Sequence, residues 1–121
     1  MHEPAVLAEA FSRHRFADVV DALDDDVTWT LVGGDVVRGR DAVLQLCEQS
    51  ARELTDVTTT WDSFRVIDAG ATIVVESWAT YAGADDDVSR VASCDIYDFV
   101  DGRIGSITSF TVEVGPTPTD G

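Results

Sequence analysis

One carboxylate stands out in the stretch SCDIYDFVDGRIGSITSF, residues 93–110. The stretch reads as two strands joined by Asp101-Gly102, a dipeptide that favours a tight hairpin turn. Strand alternation puts Val91, Ser93, Asp95, Tyr97 and Phe99 on one face, so an ionisable group shares that face with two aromatic rings. A carboxyl in apolar surroundings holds its proton more tightly, because burial penalises the charged form. Such a group can act as a general acid and, once ionised, as a general base. Asp95 is therefore the candidate catalytic residue. The competing assignment is structural: a carboxyl hydrogen-bonded to Tyr81, Tyr97 or Trp29, or one turned to solvent, since a buried carboxylate without partners is unfavourable.

The same parity argument selects the neighbours of Asp95. Trp29 and Leu31 share a face on the first strand, Ser77, Ala79 and Tyr81 on a later one, and Ser106 and Thr108 on the last. Leu7, Phe11 and Cys47 come from helices. The resulting candidate ligand-binding set is Trp29, Leu31, Ser77, Tyr81, Tyr97 and Thr108, mostly apolar with a few hydroxyls, which is the usual make-up of a small-molecule pocket. Cys47 has no histidine placed near it and reads as a core thiol rather than a nucleophile. His14 falls at the C-terminus of a helix, where a cation is favoured, and is expected at the surface. No His, Cys or carboxylate group shows ligand spacing, so no metal and no cofactor is expected. Asp24-Asp25-Asp26 and Asp85-Asp86-Asp87 lack the alternation of a calcium loop and read as solvated turns.

These residues need elements to position them. Val6, Leu7, Ala10 and Phe11 recur at helical spacing, predicting a helix over about 3–14 with Pro4 in its first turn. Phe16, Val19, Val20 and Leu23 predict a short second helix over about 16–24. VTWTLV, residues 27–32, alternates as a strand, and a brief extended piece follows at Val36-Val37. Asp41 is placed to cap a third helix running to about Leu54, with Val43, Leu44, Cys47, Ala51 and Leu54 as its apolar stripe. Beyond Leu54 the period becomes 2: strands are predicted over 57–67, 72–82, 88–100 and 103–114. Their short connections make a meander of antiparallel neighbours. The predicted class is α+β, a cone-shaped curved antiparallel β-sheet with three N-terminal helices packed on its concave face. The domain covers 1–114, and GPTPTDG, residues 115–121, is expected to be a flexible tail.

With 121 residues the chain makes one domain. It carries 23 acidic against 8 basic residues, a net charge of −15, and every base is arginine. That balance repels nucleic acid and anionic lipid, whose binding needs clustered cations. No apolar run approaches the ~20 residues of a membrane span. The N-terminal residues show no basic leader before an apolar stretch, and Cys47 and Cys94 are the only cysteines. Both features point to the cytoplasm and reduced thiols.

Order and spacing together resemble the SnoaL-like, nuclear transport factor 2-like domains, in the branch that includes ketosteroid isomerases. The matching segments are FADVVDALDDDVTW, VVRGRDAVLQL and DIYDFVDGRIGSI, and the resemblance spans about residues 5–114. It implies a pocket at the wide end of the cone. In ketosteroid isomerases an aspartic acid on the second-to-last strand stays protonated and donates to the substrate oxygen; Asp95 holds the matching position. Their base position is Leu31 here, and their phenol position is Leu7. One of three groups is present, so the ketosteroid isomerase mechanism is excluded like for like. The Asp-x-Arg of limonene epoxide hydrolases matches only Asp101-Gly102-Arg103, on a turn. The sheet histidines of scytalone dehydratases have no counterpart, because His2 and His14 are N-terminal.

Members of this fold often pair through the convex sheet face. Trp78 lies on the parity opposite to Ser77 and Ala79, and a large exposed ring marks an interface. A homodimer through Trp78, Ile96 and their neighbours is expected. The resemblance implies a cofactor-independent isomerase, cyclase or hydratase acting on a small apolar, oxygen-bearing molecule. The second functional reading is a non-catalytic ligand-binding or dimerisation module.

Overall fold

The structure, a computed structural model, describes residues 3–84 and 87–115. Residues 116–121 of the expected tail, and Asp85 and Asp86 of the second acidic triplet, lie outside the described residues. The elements run α1 (Glu3–Ser12), β1 (Leu23–Leu31), β2 (Val36–Arg38), α2 (Arg40–Glu53), β3 (Thr58–Asp68), β4 (Thr72–Ala82), β5 (Val88–Val100) and β6 (Arg103–Val114). This is an α+β fold with two α-helices. The expected helix over 16–24 is instead two 3₁₀ turns, Phe16–Asp18 and Val20–Ala22, followed directly by β1. Apolar residues three apart, as at Phe16 and Val19, suit a 3₁₀ repeat as well as an α-helix. Asp24-Asp25-Asp26 correspondingly belongs to β1 rather than to a turn, and Arg40 lies 3.7 Å from Asp25.

The six strands form one sheet in the order β2-β1-β6-β5-β4-β3. The long strands β3 to β6 make the expected antiparallel meander. β1, however, pairs in parallel with β6, so the sheet is mixed and not purely antiparallel. Asp101 and Gly102 both take positive φ, 52° and 81°, as the two-residue hairpin turn between β5 and β6 requires.

One face of the sheet is covered by the helices. Ala5, Ala8 and Phe11 of α1 and Val43 and Cys47 of α2 pack with Ile73 and Val75 of β4, Tyr97 of β5 and Ile107 of β6. Alanines at two of those α1 positions let the helix approach the strands closely. Tyr97 is fully buried in this core.

Two bulges decide which side chains meet the helices. In the β5–β6 ladder Tyr97 opposes Ile107, whereas Phe99 opposes Ile104, which leaves Gly105 as the extra residue. The inward set on β6 therefore shifts from Ile104 to Ile107 and Ser109. Asp62 is the extra residue in the β3–β4 ladder, where Trp61 opposes Ala79 and Ser63 opposes Trp78.

Candidate functional site

Between the helices and the sheet lies a cavity of about 390 Å³. Asp95 and Ser93 of β5, Ser77 and Tyr81 of β4, Trp29 and Leu31 of β1, and Ser109 of β6 line it from the sheet. The end of α1 contributes Phe11, Ser12 and His14, and β3 contributes Trp61. Five of the residues expected from parity thus share one cavity with Asp95 or form it: Trp29, Leu31, Ser77, Tyr81 and Asp95 itself. Tyr97 lies behind the wall, buried, with its hydroxyl turned to Ser12. Thr108 is on the opposite face, across from Ile96, because the bulge at Gly105 inverts the parity of the rest of β6. Ser109 takes the place expected of Thr108.

Two hydrogen-bonded relays converge on the Asp95 carboxyl. Ser12 donates from Oγ to Asp95 Oδ2 across 2.8 Å. A serine hydroxyl has one proton, so the 2.6 Å contact between Ser12 Oγ and Tyr97 Oη is a donation from Tyr97. On the other side Trp29 Nε1 donates to Ser109 Oγ at 2.9 Å, and Ser109 in turn hydrogen-bonds Asp95. Asp95 and Ser109 are direct partners in the β5–β6 register.

Burial raises the pKa of Asp95 above its ordinary 3.8, and the hydrogen bonds from Ser109 and Ser12 pull it partly back. Burial disfavours the carboxylate, while donors favour it. The relays supply donors only, so they support the basic form of a group that its surroundings push towards the acid. That opposition is what a group exchanging protons with a substrate needs. Tyr97 is pushed well above its ordinary value, first by burial and then by the Asp95 charge, and stays a phenol.

A second polar pair lines the same cavity. His14 Nε2 lies 3.0 Å from Tyr81 Oη. The His14 ring also packs near Trp61, with centroids 5.5 Å apart, and near Phe16 at 5.7 Å. The surface position expected for His14 is corrected here: α1 stops at Ser12, and the chain turns the residue towards β3 and β4. Ser12, His14, Ser109 and Trp61 were not singled out by parity. A helix boundary hid the first two and bulges the other two.

Cys47 is buried and burial, followed by the Glu48 charge, pushes its thiol up to about 12, so it is no nucleophile. Both cysteines are free. Leu7 packs against the core and does not line the cavity, whereas Leu31 does. Among the described residues no group of three His, Cys, Asp or Glu side chains could hold a metal ion, and no helix is long and apolar enough to cross a membrane.

Comparison with known proteins places this architecture. A structure of an NTF2-like protein of unknown function from Cytophaga hutchinsonii superposes with a TM-score of 0.78 at 31% identity, covering 88% of this chain and 94% of that one. An LEH-like epoxide hydrolase from M. tuberculosis superposes at 0.65 with 23% identity, over 90% and 78% of the two chains. A protein from Kribbella flavida, provisionally described as a ketosteroid isomerase, superposes at 0.66 with 19% identity over 94% and 81%. At those two identities the likeness is one of fold alone. No curated protein matches the chain. The SnoaL-like domain model matches residues 5–107, nearly the whole described chain, and the chain therefore belongs to that family, within the NTF2-like fold.

Proposed function

We propose that this protein is a cofactor-independent pocket enzyme, an isomerase, cyclase or hydratase, that moves a proton on a small apolar, oxygen-bearing molecule with Asp95 as the acid–base group. The observation that carries this reading is the Asp95 carboxyl on the wall of a 390 Å³ cavity, raised in pKa by burial yet supplied with donors by Ser12 and Ser109. In its carboxylate form it takes a proton from carbon next to a substrate carbonyl; in its acid form it returns that proton to another atom. Leu31, which holds the base position of the ketosteroid isomerases, leaves both roles to Asp95. Trp29, Ser77 and Tyr81 shape the pocket around the substrate. The protein works in the cytoplasm as a homodimer paired through the sheet face away from the helices.

The test is deuterium incorporation next to the carbonyl of cyclic ketones such as 1-indanone, followed by NMR in deuterated buffer. The wild type is expected to accelerate exchange and Asp95→Asn to abolish the acceleration. Equal exchange by the two proteins would overturn the catalytic reading. It would favour the second one, a ligand-binding or dimerisation module, which draws its support from the apolar side chain at Leu31 and from an Asp95 already held by protein donors.

A further inference from the structure

The turn that ends α1 delivers two polar residues to the cavity, and only Ser12 belongs to the Asp95 network. His14 arrives by a different device. Arg15 N donates to Ala10 O at 2.9 Å and His14 N to Phe11 O at 3.0 Å, the paired bonds of a Schellman helix end. The residue at the centre of that motif takes a left-handed conformation, here φ 65° at His14. Glycine is the usual occupant, since a β-carbon is disfavoured there. An imidazole is thus held where the backbone alone favours no side chain, and strained positions of this kind gather at functional sites.

Its surroundings fit a polar contact for a ligand. His14 meets the Tyr81 hydroxyl, and among the described residues its other ring nitrogen has no hydrogen-bond partner. Burial lowers the pKa of His14; burial and then the Asp95 charge raise that of Tyr81. At neutral pH the pair is therefore a neutral imidazole beside a neutral phenol, suited to a neutral hydroxyl. The one charge that acts on the pair is the Asp95 carboxylate, on Tyr81, while Arg13, next to His14 in the chain, lies over the rings of Phe64 and Trp61 and pairs with Glu9 at 2.9 Å. In the sheet Tyr81 opposes Ser89 and Asp95 opposes Val75. Ser12, which donates to Asp95, and His14, which meets Tyr81, are only two residues apart at the end of α1, so the two polar stations share one cavity, with the apolar rings of Phe11 and Trp61 lining it beside them.

We infer that the His14–Tyr81 pair is a second substrate contact, and that the substrate class is a small apolar skeleton with two oxygen functions: a carbonyl at Asp95 and a hydroxyl held by His14 and Tyr81. This inference rests on the reading of Asp95 as the acid–base group.

The test compares 1-indanone with 5-hydroxy-1-indanone, which differ by one hydroxyl remote from the ketone, binding each to the full-length protein by NMR titration. The wild type is expected to bind the hydroxylated ketone about tenfold more tightly, the worth of one neutral hydrogen bond. His14→Gly, which suits the left-handed backbone, should reduce that ratio to about one. Tyr81→Phe keeps the ring and should do the same; it decides the matter if His14→Gly does not fold. Equal affinities in the wild type, a ratio that survives both substitutions, or no binding of either ketone would overturn the inference. A pair that merely braces α1 against β4 would show a lowered melting temperature in both variants and an unchanged ratio. Failure of the Asp95 reading looks different: Asp95→Asn would keep deuterium exchange, whatever the ratio of affinities.

Discussion

The hydroxyl of Ser12, the last residue of α1, donates to Asp95 Oδ2 on β5 across 2.8 Å and so ties the helix to the carboxyl of the cavity. The bond lowers the proton affinity of a group that burial raises. Ser12→Ala removes one donor to the carboxylate, so the Asp95 pKa should rise further. Carbon-13 NMR titration of the aspartate carboxyls reads this directly. A lower value in Ser12→Ala, or an Asp95 that titrates at 3.8 in the wild type, would contradict the described electrostatics.

The same shift has a consequence for stability. Because the folded-state pKa is raised, the folded protein binds the Asp95 proton more tightly than the unfolded chain does. The stability contributed by this group is fully present below 3.8 and declines as pH rises from there through the raised folded value. Asp95→Asn cannot lose a proton and should lack the decline. The difference in denaturation free energy between wild type and variant, measured across that window, should therefore grow in favour of the variant as pH rises. A difference independent of pH would show that Asp95 has no raised pKa.

Tyr97 stands at the start of that relay and is fully buried. Tyr97→Phe keeps the ring in the core and removes only the hydroxyl that donates to Ser12. The expected loss is about 1 kcal/mol of stability, because Ser12 loses one partner and retains Asp95. Tyr97→Ala also empties the space beside Phe11, whose ring centroid is 5.9 Å away. That change should cost about 3–5 kcal/mol. Urea denaturation of the two variants separates the hydroxyl from the ring, and equal losses would mean the relay carries most of the energy.

How much of this site could be read from residues alone follows from where the period of 2 is unbroken. On β4 and β5 it runs without interruption across the cavity, so Ser77, Tyr81, Asp95 and Tyr97 fall on the expected face. Trp29 and Leu31 do so at the end of β1. Thr108 fails because one glycine upstream adds a residue to β6, and alternation carries no memory of an insertion. The pairing of β1 with β6 is likewise invisible to local pattern, since it joins the first strand to the last. His14 was hidden by backbone geometry: nothing in its side chain announces a left-handed residue where glycine is the usual signal.

The Gly105 bulge can be tested by length rather than by side chain. A β-carbon at Gly105 would meet Val100 Cγ2 at 3.1 Å, the end of a side chain that can shift. Gly105→Ala should accordingly lose no more than about 1 kcal/mol. Deleting Gly105 removes the unpaired residue and leaves the pairings on either side of it in place, so Ile104, Ile107 and Ser109 should alternate regularly towards the helices and the Trp29–Ser109 bond should be kept. The deletion variant should therefore retain a cooperative unfolding transition and the wild-type tryptophan fluorescence. Loss of the cooperative transition, or a changed fluorescence, would mean that Gly105 is not simply an extra residue in the ladder.

The sheet face away from the helices bears on assembly. It presents Phe110 and Val112, 44% and 62% exposed, beside Cys94 and Ala92 in the β5–β6 register. Trp78 opposes Ala92 on the same face, with the Arg90 guanidinium 5.6 Å from its ring. Apolar side chains in this number on one face favour pairing with a second copy. The net charge of −15 on each chain opposes it. Burial wins at contact range, while repulsion acts at longer range and is screened by salt, with a Debye length of about 10 Å at 0.1 M. The proposed dimer should therefore sediment at twice 13.1 kDa at micromolar concentration and tighten as salt is added. Val112→Glu places a carboxylate in the apolar patch and should yield a monomer that keeps its helix-side cavity. A wild-type chain that sediments as a monomer at high salt would rule out pairing through this face.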